Sequence, residues 1–475
     1  MSLAPGPLHR LHDAIRQRRL TATALVHASL ERLESAGSLN VLADTNAEAA
    51  LERAALLDSC DQISGALWGI PTLVKDLEDF PGLPTRQGSL ALRDAPNAEW
   101  CAVVPERLVA AGAVVVGKST LPEFAIEGYT ANRLTGVTRN PWNPAYSPGG
   151  SSGGSAAALA AGLVGVATAT DGGGSIRIPA SLCGLVGLKP SNGAYGLWPA
   201  PDWLDYSTDG PFATSSDDLA LLFDLTRGPV AGDPKSLAAT PRSSWARHEP
   251  GSFPMFATER TAPWPPLSHA LASVFRDAVD AVADRLETAV TWIDGEQLFT
   301  QGNPDLDWFT VTSAEHVASL TRAWVESHFD EFHVATQEFL GAGLTVTIDE
   351  YLAARRRRYE YVRTLDQLLE GRGLLLTPTV ASEGWLAEGA MPGSSEVHGL
   401  APEVYSTALQ NITGHPALSV PFGQLPSGLP FGLQITAERC HDYRLLDLAR
   451  VMEETYPWAR VAPGYEGLDA ILDAK

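Results

Sequence analysis

In the stretch ATDGGGSIRIPA, Ala169 to Ala180, three consecutive glycines stand directly before a serine. Glycines in succession let neighbouring amide N–H groups turn into one small volume with no Cβ in the way. Donors fixed like that stabilise the oxyanion that develops when a nucleophile attacks a carbonyl. Ser175 is then a hydroxyl at the rim of such a hole. A second reactive candidate is Lys75, at the end of the apolar run in IPTLVKD. Only five of the 34 basic residues are lysines (Lys75, Lys118, Lys189, Lys235 and Lys475). A lysine among apolar neighbours therefore asks what arginine could not supply, and one answer is an amine able to lose its proton near neutral pH. Moving a lysine from ~10.4 to ~7.5 takes about 4 kcal/mol, within reach of burial. The plainer expectation for Lys75 alone is an ion pair with Asp76 or Asp79.

Two further motifs fit by letter but not by context. GAVVVGKS, Gly112 to Ser119, matches a phosphate loop. Its β-branched run lies between the two glycines, so the strand sits inside the motif, and a helix, VVPERLVAAG, comes before it. GGSSG, Gly149 to Gly153, matches a nucleophile elbow, which needs a strand feeding into the serine. The preceding NPWNPAYSP holds three prolines and cannot be an interior strand. His415 and His441 follow in the order a triad base would, with no supporting signal beyond position.

The elements that must position these groups read as α/β. Helices are expected over TATALVHASLERLES and TNAEAALERAALLDS, the latter opening on a Thr45–Glu48 capping box. From Gly65 to about Leu225 short apolar runs (WGIPTLV, GAVVVG, LVGVATAT, GLVGL) alternate with helix signals and glycine turns, as strands buried on both faces do. Residues 228–266 read as a Pro- and Ser-rich surface excursion. Helices are expected at about 266–287, 304–326 and 348–370, then strands at GLLLTPT, PALSVPFG and LPFGLQITA, and a last helix at YRLLDLARVMEETY. The arginine run in ARRRRYEY reads as a solvated helix face, with Thr347 and Glu350 as a capping box and Leu352, Tyr359, Val362 and Leu365 as the apolar stripe. One sheet completed by the C-terminal third is expected.

The net charge of −22 disfavours nucleic acid and anionic membrane and favours a small-molecule partner. Cys60, Cys101, Cys183 and Cys440 lie far apart, so a disulfide framework or zinc site is not expected and a cytoplasmic location is. No apolar run suits a membrane span, and the N-terminal residues have no signal-peptide core.

Taken together and in order, the motifs resemble those of the amidase signature enzymes. The resemblance is carried by GIPTLVKD, LVAAGAVVVGKSTLPEFA, TRNPWNPAYSPGGSSGGSAAALAAG, TDGGGSIRIPASLCGLVGLKPS, DGPFATSSDDLALL, GLLLTPT, NITGHPALSVPFG and GLPFGLQITA, nearly the whole length. It implies an α/β fold with a single large mixed β-sheet flanked by helices on both faces. It implies an N-terminal helical segment, 1–60, packed on a catalytic domain, 61–475, with a variable substrate-side region at about 228–400. Of the site residues, it implies Ser175 as nucleophile, Ser151 as the bridging serine after a cis Gly150–Ser151 peptide, and Lys75 as base. The amides of Gly172, Gly173, Gly174 and Ser175 would form the oxyanion hole, with no metal or organic cofactor. Two departures stand out: Gly172, where the family usually has Thr, Ile or Val, and Thr85–Arg86 in place of a Thr-Thr pair. Trp198, Trp203, Tyr206, Trp308, Trp385 and Met391 are the expected pocket walls. They suit an aryl or apolar amide, carbamate or ester, cleaved by a monomer or homodimer through an acyl-enzyme. The rival expectation is a glutamine-hydrolysing amidotransferase component that depends on a partner.

Overall fold

The computed structural model describes residues 5–236, 253–388 and 406–473. The N-terminal helices are amphipathic: Pro7–Arg16 buries Leu8, Leu11 and Ile15, and Ala22–Ser35 buries Leu25, Val26 and Leu33. The third helix, Ala47–Asp58, starts from Asn46 and not from Thr45. Thr45 instead ends a short strand, Leu42–Thr45, where it pairs with Gly117, and it is not free to cap.

That strand is the antiparallel edge of a four-stranded sheet in the order Leu42–Thr45, Val114–Ser119, Pro71–Lys75, Val166–Ala167, the last three parallel. A seven-stranded sheet runs Phe212–Ala213, Val186–Lys189, Ala417–Gln424, Pro430–Ala437, Leu374–Pro378, Met255–Ala257, Val290–Trp292. Its first five strands are antiparallel and its last three parallel. The α/β class with a mixed, helix-flanked sheet is what the chain adopts. The single sheet is approximate: among the described residues the hydrogen-bonded ladders divide into these two sheets and two two-stranded pairs, Ala131–Asn132 with Gly136–Val137 and Thr170–Asp171 with Thr208–Asp209.

One apolar core runs from Leu8 and Leu25 through Leu73 and Val116 to Leu376 and Ile435, so the N-terminal helices share it with both sheets. A second, aromatic-rich core collects Phe124, Trp203, Trp308, Phe339, Tyr361 and Trp385. The helix Arg177–Cys183 joins the two, with Ala180 and the preceding Ile176 in the first and Ile178 and Leu182 in the second. The helix Gly153–Ala160 is buried at every residue. At Gly154 a Cβ would overlap the Thr120 backbone, so only glycine permits that approach.

Several expectations need correction. Within 228–266, Met255–Ala257 is a central parallel strand between Leu374–Pro378 and Val290–Trp292, and only 237–252 lie outside the described residues. The helix expected over 304–326 ends at Leu320 because Thr321 takes a positive φ of 67°, and Arg322–His328 starts anew. Thr347 and Glu350 do form a capping box at the start of Ile348–Leu369. The stripe on that helix holds at Leu365, which is buried, but Leu352 and Tyr359 are exposed, and Ala354, Tyr361 and Leu369 complete the buried face. Its arginines are not simply solvated either. Arg357 holds Asp307 at 2.5 and 2.7 Å, and Arg355 and Arg358 both reach Asp205.

Candidate active site

Lys75 ends a strand buried at every position, and its own side chain is fully buried. Its Nζ lies 2.8 Å from Ser151 Oγ, 2.8 Å from Thr170 Oγ1 and 3.1 Å from Ser152 Oγ. The expected partner Asp76 is taken by a different lysine, Lys118, at 3.6 Å. Lys118 belongs to the phosphate-loop look-alike, whose Val114–Ser119 segment is strand and not cradle. Burial pulls the Lys75 amine down to about 7, against the opposing pull of Glu78, Asp171 and Asp209. With three hydroxyl oxygens and, among the described residues, no ion pair, this amine exchanges its proton near neutrality.

Ser151 follows a cis peptide, Gly150–Ser151, as the resemblance implies. Among the three oxygens around Nζ, roles can be divided. Ser152 Oγ donates to the Thr170 carbonyl at 3.4 Å, so it accepts from Nζ. The lone pair of a neutral amine is then available to the Ser151 hydroxyl.

The glycine loop is held from below. The carbonyls of Asp171, Gly172 and Gly173 accept from Asn411 Nδ2 at 2.9 Å, Trp308 Nε1 at 2.7 Å and Thr407 Oγ1 at 2.6 Å. Fixing these oxygens on one side turns the intervening amides to the other. Among the described residues the amides of Gly172, Gly173 and Ser175 have no acceptor. Gly174 is the exception: its amide donates to Asp171 Oδ1 at 2.8 Å, which removes it from the expected set of oxyanion donors. Asp171 is itself clamped by Arg177 through two contacts at 2.8 and 2.9 Å. Burial alone would raise the Asp171 carboxyl, but the adjoining guanidinium holds it below the usual range. Arg177 also reaches Gln410, Asn411 and Gln434 at 2.7 to 2.9 Å.

Ser151, Ser175, Gly172 and Thr170 open onto one cavity of about 280 Å³. Of the expected walls, Trp198 and Trp203 line it. Trp203 also accounts for the Gly172 departure, because its ring stands where a Cβ at residue 172 would go. Trp308 is not a wall: it packs beneath Gly173, where a Cβ would meet it at 2.5 Å, and anchors the loop. Tyr206 and Trp385 are buried in the aromatic core away from the cavity, Tyr206 under the Arg355 and Arg358 guanidinium groups. Met391 lies outside the described residues. His415 is buried beside Asp366, and neither it nor His441 reaches the cavity.

Sequence reasoning assigned no role to Ser152, Thr170, Asp171, Arg177, Thr407 or Asn411. The available signal was polar residues inside otherwise apolar elements, such as Gln410 and Asn411 in ALQNIT and Gln434 in PFGLQITA. Buried polar groups of that kind must find partners.

Residues 24–446 match the family model described as Amidase. AmiA2 of Mycobacterium tuberculosis, a protein named as a putative amidase, is 33% identical over 461 residues, 94% of this chain and 92% of that protein. A glutamyl-tRNA(Gln) amidotransferase component from a Synechococcus strain is 33% identical over 480 residues, covering 92% and 93%. Among solved structures, a bacterial aryl acylamidase of the amidase signature enzymes superposes with a TM-score of 0.86 at 26% identity, covering 95% and 96%.

Proposed function

The chain belongs to the Amidase family and is an amide-bond hydrolase, and from that premise we propose that it acts through Ser175, Ser151 and Lys75 on small aryl or apolar amides and carbamates. The observation that carries the reading is the fully buried Lys75 amine 2.8 Å from Ser151 Oγ, with Ser151 and Ser175 on one cavity.

Neutral Lys75 accepts the Ser151 hydroxyl proton as Ser151 Oγ accepts that of Ser175, and Ser175 Oγ attacks the carbonyl carbon. The amides of Gly172, Gly173 and Ser175 receive the oxyanion, as preorganised donors cost no reorganisation at that moment. The proton returns through Ser151 to the leaving nitrogen, the C–N bond breaks, and water releases the acyl group by the same relay.

The substrate class follows from the walls. Trp100, Phe124, Leu197, Trp198 and Trp203 suit an aromatic or apolar group. Among the described residues lining the cavity, Glu78, Asp79, Asp202 and Asp209 bring carboxyl groups, and none of the lining residues is an arginine or lysine. Glutamine presents a carboxylate that would meet these groups without a cation, which weighs against the amidotransferase reading. Anilides, aryl carbamates, esters, primary amides and glutamine should be tested on the purified chain, each beside Ser175→Ala. Turnover of anilides or carbamates, lost in Ser175→Ala, is expected. Glutamine as the preferred substrate, or activity surviving in Ser175→Ala, would overturn the proposal.

A further inference from the structure

His316, on the helix Pro304–Leu320, is only 1% exposed yet lines the same cavity as Ser175. Its Nδ1 accepts the Trp203 indole N–H at 3.1 Å. A ring nitrogen that accepts carries no proton, so the neutral imidazole holds its hydrogen on Nε2. Burial keeps the ring neutral by lowering its pKa, against the pull of Asp202. Nε2 is buried and, among the described residues, has no hydrogen-bond partner. The rings of Phe124, Trp203 and Phe339, with centroids 5.7, 6.1 and 6.2 Å away, supply aromatic surface and no oxygen. A buried donor without an acceptor is costly, and in the wall of a cavity a ligand can remove that cost.

We propose that His316 is a specificity-determining residue, whose Nε2–H binds a second acceptor oxygen of the substrate, remote from the carbonyl that is cleaved. The inference rests on the amide-hydrolase reading of this cavity and narrows its substrate class. The preferred substrate is an aryl or apolar amide or carbamate that carries a further neutral carbonyl or ether oxygen. A carboxylate is disfavoured in that position because Asp202 shares the wall.

The test uses anilide pairs over a series of acyl-chain lengths, each pair differing only in an ether oxygen replaced by a methylene. Wild type should favour the ether member in kcat/KM by about tenfold at one or more lengths, the scale expected when a buried donor is left unpaired. His316→Phe should bring the ratio close to one, the ratio being the readout because the change also removes the acceptor of the Trp203 indole N–H. An unchanged ratio in His316→Phe, or no preference at any length in wild type, overturns the proposal. Should His316→Phe fail to fold, 15N-histidine labelling of Ser175→Ala decides: the His316 Nε2–H resonance must move on adding the ether substrate, and a resonance that stays overturns the proposal. If wild type cleaves no anilide or carbamate at all, the aryl or apolar substrate class proposed for the cavity falls instead.

Discussion

At the scale of single residues, the account turns on the protonation of Lys75. Its amine must be neutral to accept the Ser151 proton, and burial brings it down to about 7. The sign follows directly: below that pH the amine is a cation with no lone pair, and above it the relay is open. With an uncharged anilide, kcat/KM should rise with pH through an apparent pKa of about 7 and then level off. Lys75→Arg keeps the positive charge but cannot be deprotonated, and should cost at least about a hundredfold in kcat at every pH. A flat profile from pH 5 to 9, or an active Lys75→Arg enzyme, would contradict this. The lysine's shift was readable in the sequence because Lys75 ends an apolar run in a chain that otherwise prefers arginine. The oxygens around it were less readable. Ser152 and Thr170 are ordinary residue types in ordinary positions, and only the folded chain brings them to Nζ.

At the scale of elements, what could be read depended on how local the cause was. The Pro71–Lys75, Val114–Ser119, Leu374–Pro378 and Pro430–Ala437 strands announce themselves as apolar runs, because each is buried on both faces. Leu42–Thr45 gives no such sign: it is a half-buried edge strand, held by pairing with Val114–Ser119. Met255–Ala257 is three residues long and owes its place to neighbours on each side. The partly misplaced stripe on Ile348–Leu369 has a similar origin. Tyr359 is apolar enough to be counted, but the helix turns Tyr361 inward, where its hydroxyl bonds Asp307 at 2.5 Å. The glycine loop was legible as a row of potential donors. That Gly174 is spent on Asp171 was not, since it depends on a carboxylate three residues back turning toward it.

At the scale of the whole molecule, Arg177 ties the site to the C-terminal part of the chain. Its guanidinium reaches Asp171 on the loop, Gln410 and Asn411 on the helix Ala408–Thr413, and Gln434 on the strand Pro430–Ala437. Arg177 and Asp171 are both fully buried. Replacing Arg177 by Met would leave that carboxylate buried without its cation, at a cost of about 3–5 kcal/mol. Equilibrium unfolding of Arg177→Met should show a loss of that order together with loss of activity, whereas an unfolding midpoint equal to wild type would remove Arg177 from this role. The same connections tie the loop that bears Ser175 to the C-terminal elements, as the proposed covalent intermediate at that position would require. The most direct measurement is therefore mass spectrometry of the peptide containing Ser175 after exposure to a slowly deacylating aryl carbamate. The account predicts one carbamoyl adduct on Ser175 Oγ, absent in Ser175→Ala and strongly slowed in Lys75→Arg. An adduct on another residue, or one that forms as fast without Lys75, would contradict it.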